Sequence, residues 1–354
     1  MSKKIVLTGG GTAGHVTPNI ALLPFLQEEG YEASYIGSYN GIEKKLIEDF
    51  NIPYYGISTG KFRRYFDLKN FSDPFRVIKG YRQAHQILKE LKPDIVFSKG
   101  GFVSVPVVRA AAALKIPCII HESDMTPGLA NKLCIPVATK VCCNFPETTK
   151  YVPAGKALLT GSPIRTELTT GSKLAALELC GFTANKPVIM VIGGSQGATS
   201  VNIMVREALP KLLEDFQVVH ICGKDKVDNL MLTIPGYKQF EYLKSDLKDV
   251  FAMADIVVSR AGANAICELL ALKKPNLLIP LQVGSRGDQI LNARSFEEQG
   301  FSIVLREDYI DCDILTEKIY ELYENRQAYI EKMCESGQMN SIPTIIDLIK
   351  EHSL

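Results

Sequence analysis

The sequence predicts an α/β protein built from two doubly wound, Rossmann-like halves. Three observations lead there. Short apolar runs without polar alternation, such as Ile5–Leu7 and Val188–Ile192, suit strands buried on both faces of a parallel sheet. Three such strands run straight into a glycine loop, at Gly9–His15, Gly100–Pro106 and Gly193–Ala198, and helical periodicity follows each loop. Strands and helices alternate on both sides of Leu159–Arg165, in a chain whose 354 residues exceed the usual size of one domain.

Composition narrows the class. A hydrophobic content of 46% with 22% charged residues suits a protein with sizeable buried cores, and a net charge of +1 excludes a global attraction to nucleic acid. The nine cysteines form no Cys-x-x-Cys pair, which reads as reduced, mostly buried thiols of a cytosolic protein. Met1-Ser-Lys-Lys leads directly into a strand, leaving no space for a secretory segment, and no apolar run reaches membrane-spanning length. The expectation is a soluble protein, attached at most to a membrane surface.

In the first half, the strand Ile5–Thr8, its glycine loop, a helix over Asn19–Glu29 and the strand Ala33–Ile36 form a βαβ unit. Gly9, Gly11 and Gly14 satisfy the spacing of a dinucleotide loop. The second strand ends Ile36-Gly-Ser-Tyr, without the carboxylate that a dinucleotide ribose wants, and this argues against NAD. Residues 59–92 interleave basic residues with aromatics, and Phe71, Phe75, Ile78 and Tyr81 recur at helical spacing beside Lys79 and Arg82. The stripe suits either a helix facing the core or a patch that enters a membrane interface beside anionic lipid. A strand at Pro93–Ser98, the loop with Gly100 and Gly101, an alanine-rich helix to Leu114 and a strand at Ile116–Ile120 come next. His121, Glu122 and Asp124 then stand where ligands gather in open α/β sheets. Thr139–Cys143 reads as the last strand of this half.

The second half repeats the pattern, with strands at Val188–Ile192, Val218–Cys222 and Asp255–Ser259. Gly193, Gly194 and Gly197 surround Ser195 before a helix, and orphan N–H groups at that point attract phosphate. A strand-to-helix turn with no ligand is the plain alternative for any one such loop. Arg165 suits diphosphate oxygens, and Glu268 is placed to accept hydrogen bonds from ribose hydroxyls, although a first-turn glutamate also suits the helix dipole alone. Asp288 and Gln289 head a helix and suit sugar hydroxyls or a cap. Ile342, Ile345, Ile346 and Ile349 make the last helix amphipathic, with Ser341 as its N-cap.

Taken together and in this order, the three glycine loops, His121-Glu122, Gly161–Arg165, Arg260-Ala-Gly-Ala with Glu268, and Asp288–Ala293 resemble the bacterial cell-wall N-acetylglucosaminyltransferases. The resemblance spans nearly the whole chain. It implies a GT-B fold, two Rossmann-like domains facing across a cleft, with the C-terminal helix crossing back to the first. Residues 1–162, with 340–354 packed on them, would bind the acceptor and the membrane, and residues 163–339 the UDP-sugar. The implied reaction is inverting transfer of N-acetylglucosamine from UDP-N-acetylglucosamine to the C4 hydroxyl of lipid I. Its product is lipid II, in the peptidoglycan synthesis on which cell shape and division depend.

The resemblance also implies residue roles. Thr12, Ala13, Gly14 and Asp124 would lie near the donor sugar; Ser195 and Arg165 would meet the diphosphate, and Leu243 the uracil. Ala263, Asn264, Ala265, Ile266, Cys267 and Glu268 would hold phosphate and ribose, and Gln289 the sugar hydroxyls. Gly10, Gly11, Gly100 and Gly101 would receive the acceptor's pyrophosphate, opposite the donor loop of Gly193, Gly194 and Gly197. Phe71, Phe75, Ile78, Lys79, Tyr81 and Arg82 would form the membrane patch. His15 is the better placed general base and His121 the second candidate, since a histidine titrating near neutrality suits proton removal from a hydroxyl. No cofactor or protein-bound metal is implied. The implied partners are UDP-N-acetylglucosamine, lipid I, the cytoplasmic face of the membrane, and cell-wall and division proteins, with no nucleic acid. Asp124 stands where the family often has Asn, and Phe102 where Tyr is common. A transferase acting on another lipid, and a nucleotide-sugar-binding protein without catalysis, are the alternatives.

Overall fold

The computed structural model describes residues 3–60, 69–194, 197–282, 287–336, 338 and 341–354. Its contacts divide the chain into two compact units, Met1–Arg165 with Asn340–Leu354, and Thr166–Met339.

The first unit holds a seven-stranded sheet: β1 (Lys3–Thr8), β2 (Tyr31–Ser38), β3 (Tyr54–Ile57), β4 (Ile95–Ser98), β5 (Cys118–Glu122), β6 (Lys140–Cys143) and β7 (Ala157–Leu159). The strands are parallel throughout, in the order β3-β2-β1-β4-β5-β6-β7. Ile5 and Leu7 pack into one layer with Leu22 and Leu26 of the helix Thr17–Glu28, while Val6 packs into the other with Val107, Val108 and Leu88. Burial on both faces is why these strands read as unbroken apolar runs. Edge strands β3 and β7 lie beyond the runs that the sequence marks. They are short, and β7 leaves Leu158 exposed, so neither carries the apolar density of a central strand.

The C-terminal helix Ser341–His352 belongs to this first unit. Ile345, Ile346 and Ile349 join the layer of Ile5 and Leu7, and the Ser341 hydroxyl donates to the Ser162 carbonyl at 2.8 Å. Lys350 pairs with Glu29 at 2.8 Å.

The second unit holds six parallel strands: β8 (Val188–Ile192), β9 (Gln217–Ile221), β10 (Tyr237–Phe240), β11 (Ile256–Ser259), β12 (Asn276–Leu278) and β13 (Ser302–Val304), ordered β10-β9-β8-β11-β12-β13. Ile189 and Val191 pack on Val201, Val205, Leu209 and Leu212 of the helix Thr199–Asp215.

Each sheet reverses its strand order once, between β1 and β4 and between β8 and β11. Thr8 is in register with Ser98, and Ile192 with Ser259, so the loops after paired strands emerge side by side. These are the topological switch points at which open α/β sheets bind ligands. Among the described residues, no helix is long and apolar enough to cross a membrane.

Candidate functional site

At the first switch point the two glycine loops lock together. The Gly10 N–H donates to the Gly100 carbonyl at 3.3 Å, and a Cβ on Gly101, whose φ is +85°, would collide with the Gly10 carbonyl oxygen. Close backbone approach therefore requires glycine at 101. The Gly11 N–H donates to Glu43 Oε2 at 3.2 Å, and this buried carboxylate also accepts from the Ser38 N–H at 3.0 Å. The Gly100 N–H reaches Ser98 Oγ at 3.3 Å. The sequence suggests that Gly10, Gly11 and Gly100 cradle phosphate, but their amides are committed to holding the loops. Close backbone packing accounts for these glycines by itself, and local spacing cannot distinguish it from anion binding.

His15 closes the short turn Ala13–His15 that follows the loop. Its Nδ1 lies 3.0 Å from the Gly10 carbonyl, which can only accept, so Nδ1 carries the proton in the neutral ring. The lone pair then resides on Nε2, the arrangement a general base requires. Thr12 Oγ1 sits 3.1 Å from the same Nδ1. Thr12 and Ala13 are exposed, and Gly14 and His15 half-buried.

His121 is built differently. It is fully buried at the end of β5, and burial, then the neighbouring Lys99 charge, hold its pKa well below the ordinary histidine value. Its Nδ1 accepts from Lys99 Nζ at 2.7 Å, and its Nε2 donates to the Gly161 carbonyl at 2.9 Å. Both ring nitrogens are thus engaged inside the protein, which removes His121 from contention as the base and makes it a ligand of Lys99. Lys99 Nζ also reaches Ser123 Oγ at 2.7 Å and Ser162 Oγ at 3.3 Å. Next to His121, Glu122 accepts from the Asp124 N–H at 2.9 Å, the Gly128 N–H at 3.1 Å and Asn131 Nδ2 at 2.8 Å. It shapes the half-exposed segment Ser123–Thr126, and burial raises its pKa.

At the second switch point, Gly194 and Gly197 adopt φ of +82° and +69°, and the Gly197 N–H closes the turn on the Gly194 carbonyl at 3.0 Å. A Cβ on Gly197 would strike the Cys222 carbonyl, and Lys226 Nζ donates to the Gly197 carbonyl at 3.2 Å. Beneath this contact Asn202 Nδ2 holds the Cys222 carbonyl at 2.9 Å while its Oδ1 accepts from His220 Nε2 at 3.0 Å. Burial, assisted by the Arg206 charge, brings the His220 pKa down to about 3, so it stays a neutral packing group.

The loop after β11 is clamped by a partly buried ion pair. Arg260 meets both Glu307 oxygens, at 2.8 and 3.0 Å, and also reaches the Ile279 carbonyl at 2.9 Å and Ser200 Oγ at 3.2 Å. The following helix, Ala263–Ala271, begins its internal ladder with Ile266 N–H to the Gly262 carbonyl. The amides of Ala263, Asn264 and Ala265 precede that ladder and point out of the N-terminus. Ile266 and Cys267 are buried, so they can serve a ligand only through their backbone, while Glu268 is half-buried. Gln289 Oε1 accepts from the Leu281 N–H at 3.0 Å, and Asn292 Nδ2 donates to the Ala261 carbonyl at 3.3 Å, tying the helix Asp288–Glu298 to both neighbouring loops.

Residues 5–143 match the N-terminal domain and residues 188–349 the C-terminal domain of glycosyltransferase family 28. The chain belongs to glycosyltransferase family 28. It is 65% identical over 352 residues, 99% of each chain, to the UDP-N-acetylglucosamine--N-acetylmuramyl-(pentapeptide) pyrophosphoryl-undecaprenol N-acetylglucosamine transferase of Lachnospira eligens. The protein of that name from Clostridium botulinum strain Langeland is 57% identical, again over 99% of each chain. Among solved structures, Acinetobacter baumannii MurG superposes with a TM-score of 0.80 at 27% identity, covering 99% of each chain. The UDP-GlcNAc 2-epimerase of Neisseria meningitidis, at 14% identity and a TM-score of 0.68, shares the fold alone.

Within this family 28 chain the remaining sequence-marked residues are spread over both units. Arg165 ends the first unit, half-buried, and Leu243 is half-buried beyond β10. Gly193 forms the start of the turn after β8, while Ser195 lies outside the described residues. On the helix Lys69–Leu91, Phe75 is 75% and Ile78 51% exposed, beside exposed Lys79 and Arg82. Tyr81 instead packs partly buried against the core with Ala84 and Leu88; the side chain of Phe71 lies outside the described residues. Sequence reading missed Glu43, Lys99, Lys226 and Glu307. A charged residue beside a glycine loop was the available signal for Lys99, but nothing local distinguishes the other three. Asp311-Cys312-Asp313 has the spacing of a metal-binding acid pair; here Asp311 caps a helix, accepting from the Ile314 N–H at 2.9 Å.

Proposed function

We propose that the chain transfers N-acetylglucosamine from UDP-N-acetylglucosamine to the C4 hydroxyl of lipid I, yielding lipid II with inversion at the sugar C1. The observation that carries this reading is full-length identity of 65% to a transferase named for that donor and acceptor. The hydroxyl proton passes to His15 Nε2 as the oxygen attacks C1 and the bond to UDP breaks. Support for that role comes from the Gly10 carbonyl, which leaves the lone pair on Nε2. Charge developing on the leaving diphosphate meets N–H groups of the Gly193–Ala198 loop, the start of the helix Ala263–Ala271, and Arg165. Glu268 takes the ribose hydroxyls and Gln289 the sugar. The reading needs no protein-bound metal.

Exposed Phe75 and Ile78 beside Lys79 and Arg82 support docking on the anionic, cytoplasmic face of the membrane, where the lipid acceptor resides. The test is transfer of radiolabelled sugar from UDP-N-acetylglucosamine to a short-chain lipid I analogue, run beside diacylglycerol. Label in a β-linked disaccharide product is expected. Label in diacylglycerol alone, or in neither acceptor, would overturn the assignment.

A further inference from the structure

Lys99 is the least expected charge in the first unit: an ammonium 1% exposed, directly ahead of the Gly100-Gly101 loop and beside the switch point. Its Nζ donates to His121 Nδ1, Ser123 Oγ and Ser162 Oγ. His121 is fixed in turn by the Gly161 carbonyl, and Ser162 by Ser341 through its own carbonyl. The Ser123 backbone is fixed as well, since its carbonyl accepts from Asn144 Nδ2 at 2.9 Å. Of the two hydroxyls that accept from Lys99, Ser162 is buried and Ser123 half-exposed.

A hydroxyl that accepts from an ammonium has its own proton directed elsewhere, and the positive charge behind it makes that proton a stronger donor. Ser123 Oγ has no other partner among the described residues. The amides of Gly10, Gly11 and Gly100 hydrogen-bond within the loops, so the Ser123 hydroxyl is a donor additional to the backbone at this face. We propose that Ser123, primed by Lys99, is a specificity-determining hydrogen-bond donor to the pyrophosphate of the acceptor, with Lys99 acting as a positioning residue through it. The inference rests on the lipid I reading, because that acceptor supplies the anion.

The test compares wild type with S123A, S123T, K99M and K99M/S123A. Two soluble acceptors are used: a short-chain lipid I analogue, and the same muramoyl pentapeptide with an uncharged linker in place of the pyrophosphate. With the charged acceptor, S123A is expected to raise the acceptor KM about tenfold and leave the donor KM unchanged, as loss of one hydrogen bond to a charged group does. S123T, which keeps the hydroxyl, should restore wild-type KM. The double variant should be no worse than K99M, since Lys99 acts through Ser123. On the uncharged acceptor S123A and S123T should show the same acceptor KM as wild type. An unchanged acceptor KM in S123A, or an equal loss on both acceptors, overturns the proposal; S123A decides it even where K99M fails to fold. If the wild-type chain transfers no sugar to the charged analogue, the functional reading itself falls and takes this inference with it.

Discussion

Replacing Glu307 with Ala removes the partner of a guanidinium whose side chain is only 9% exposed. Arg260 loses its two charge-assisted bonds to the carboxylate and keeps those to the Ile279 carbonyl and Ser200. Breaking a fully buried pair costs about 3–5 kcal/mol, and because the Glu307 side chain is 22% exposed the expected loss here is about 2–3 kcal/mol. At roughly 2–4 °C per kcal/mol for a unit of this size, the midpoint should fall by about 5–10 °C. Calorimetry reads the shift. The Arg260 hydrogen bonds hold the Glu307 pKa below the ordinary glutamate value. Its stabilisation is therefore complete above the unfolded glutamate pKa of about 4.3 and is lost as pH falls through the lower, folded value. The gap between wild type and E307A should be full at neutral pH and close in strong acid. A midpoint unchanged at neutral pH, or a gap that persists undiminished in acid, would refute the reasoning.

Three further outcomes are expected. H15A should lower kcat by about a hundredfold or more with the donor KM unchanged, the usual contribution of a positioned base, whereas loss confined to KM would assign His15 to binding. G101A should be destabilised because its Cβ meets the Gly10 carbonyl; a melting temperature equal to wild type would show that the two loops separate readily. The double change Phe75→Ser with Ile78→Ser should reduce sedimentation with anionic vesicles while leaving turnover of a short soluble acceptor intact. Equal sedimentation would place the membrane contact elsewhere.

The sequence determined the alternation of strand, glycine loop and helix, and with it the central strands of both sheets, while the strand order and its switch points came from the fold. Those signals are local: an unbroken apolar run needs two buried faces, and a glycine between strand and helix needs a tight turn. The amphipathic last helix was equally legible, but its place beside Ile5 and Leu7 was not written in its own residues. Tertiary structure alone decided which polar groups are left over for a ligand. Gly11 gives its amide to Glu43, 32 positions away, and Gly10 gives its amide to Gly100. Lys99 reaches His121 and Ser162, and Arg260 reaches Glu307, across 22, 63 and 47 positions. A buried polar group must find a partner, and the partner comes from whichever strand end the sheet order brings alongside. Spacing along the chain therefore located the loops, while folding decided which of their hydrogen bonds are made inside the protein and engaged both ring nitrogens of His121 there.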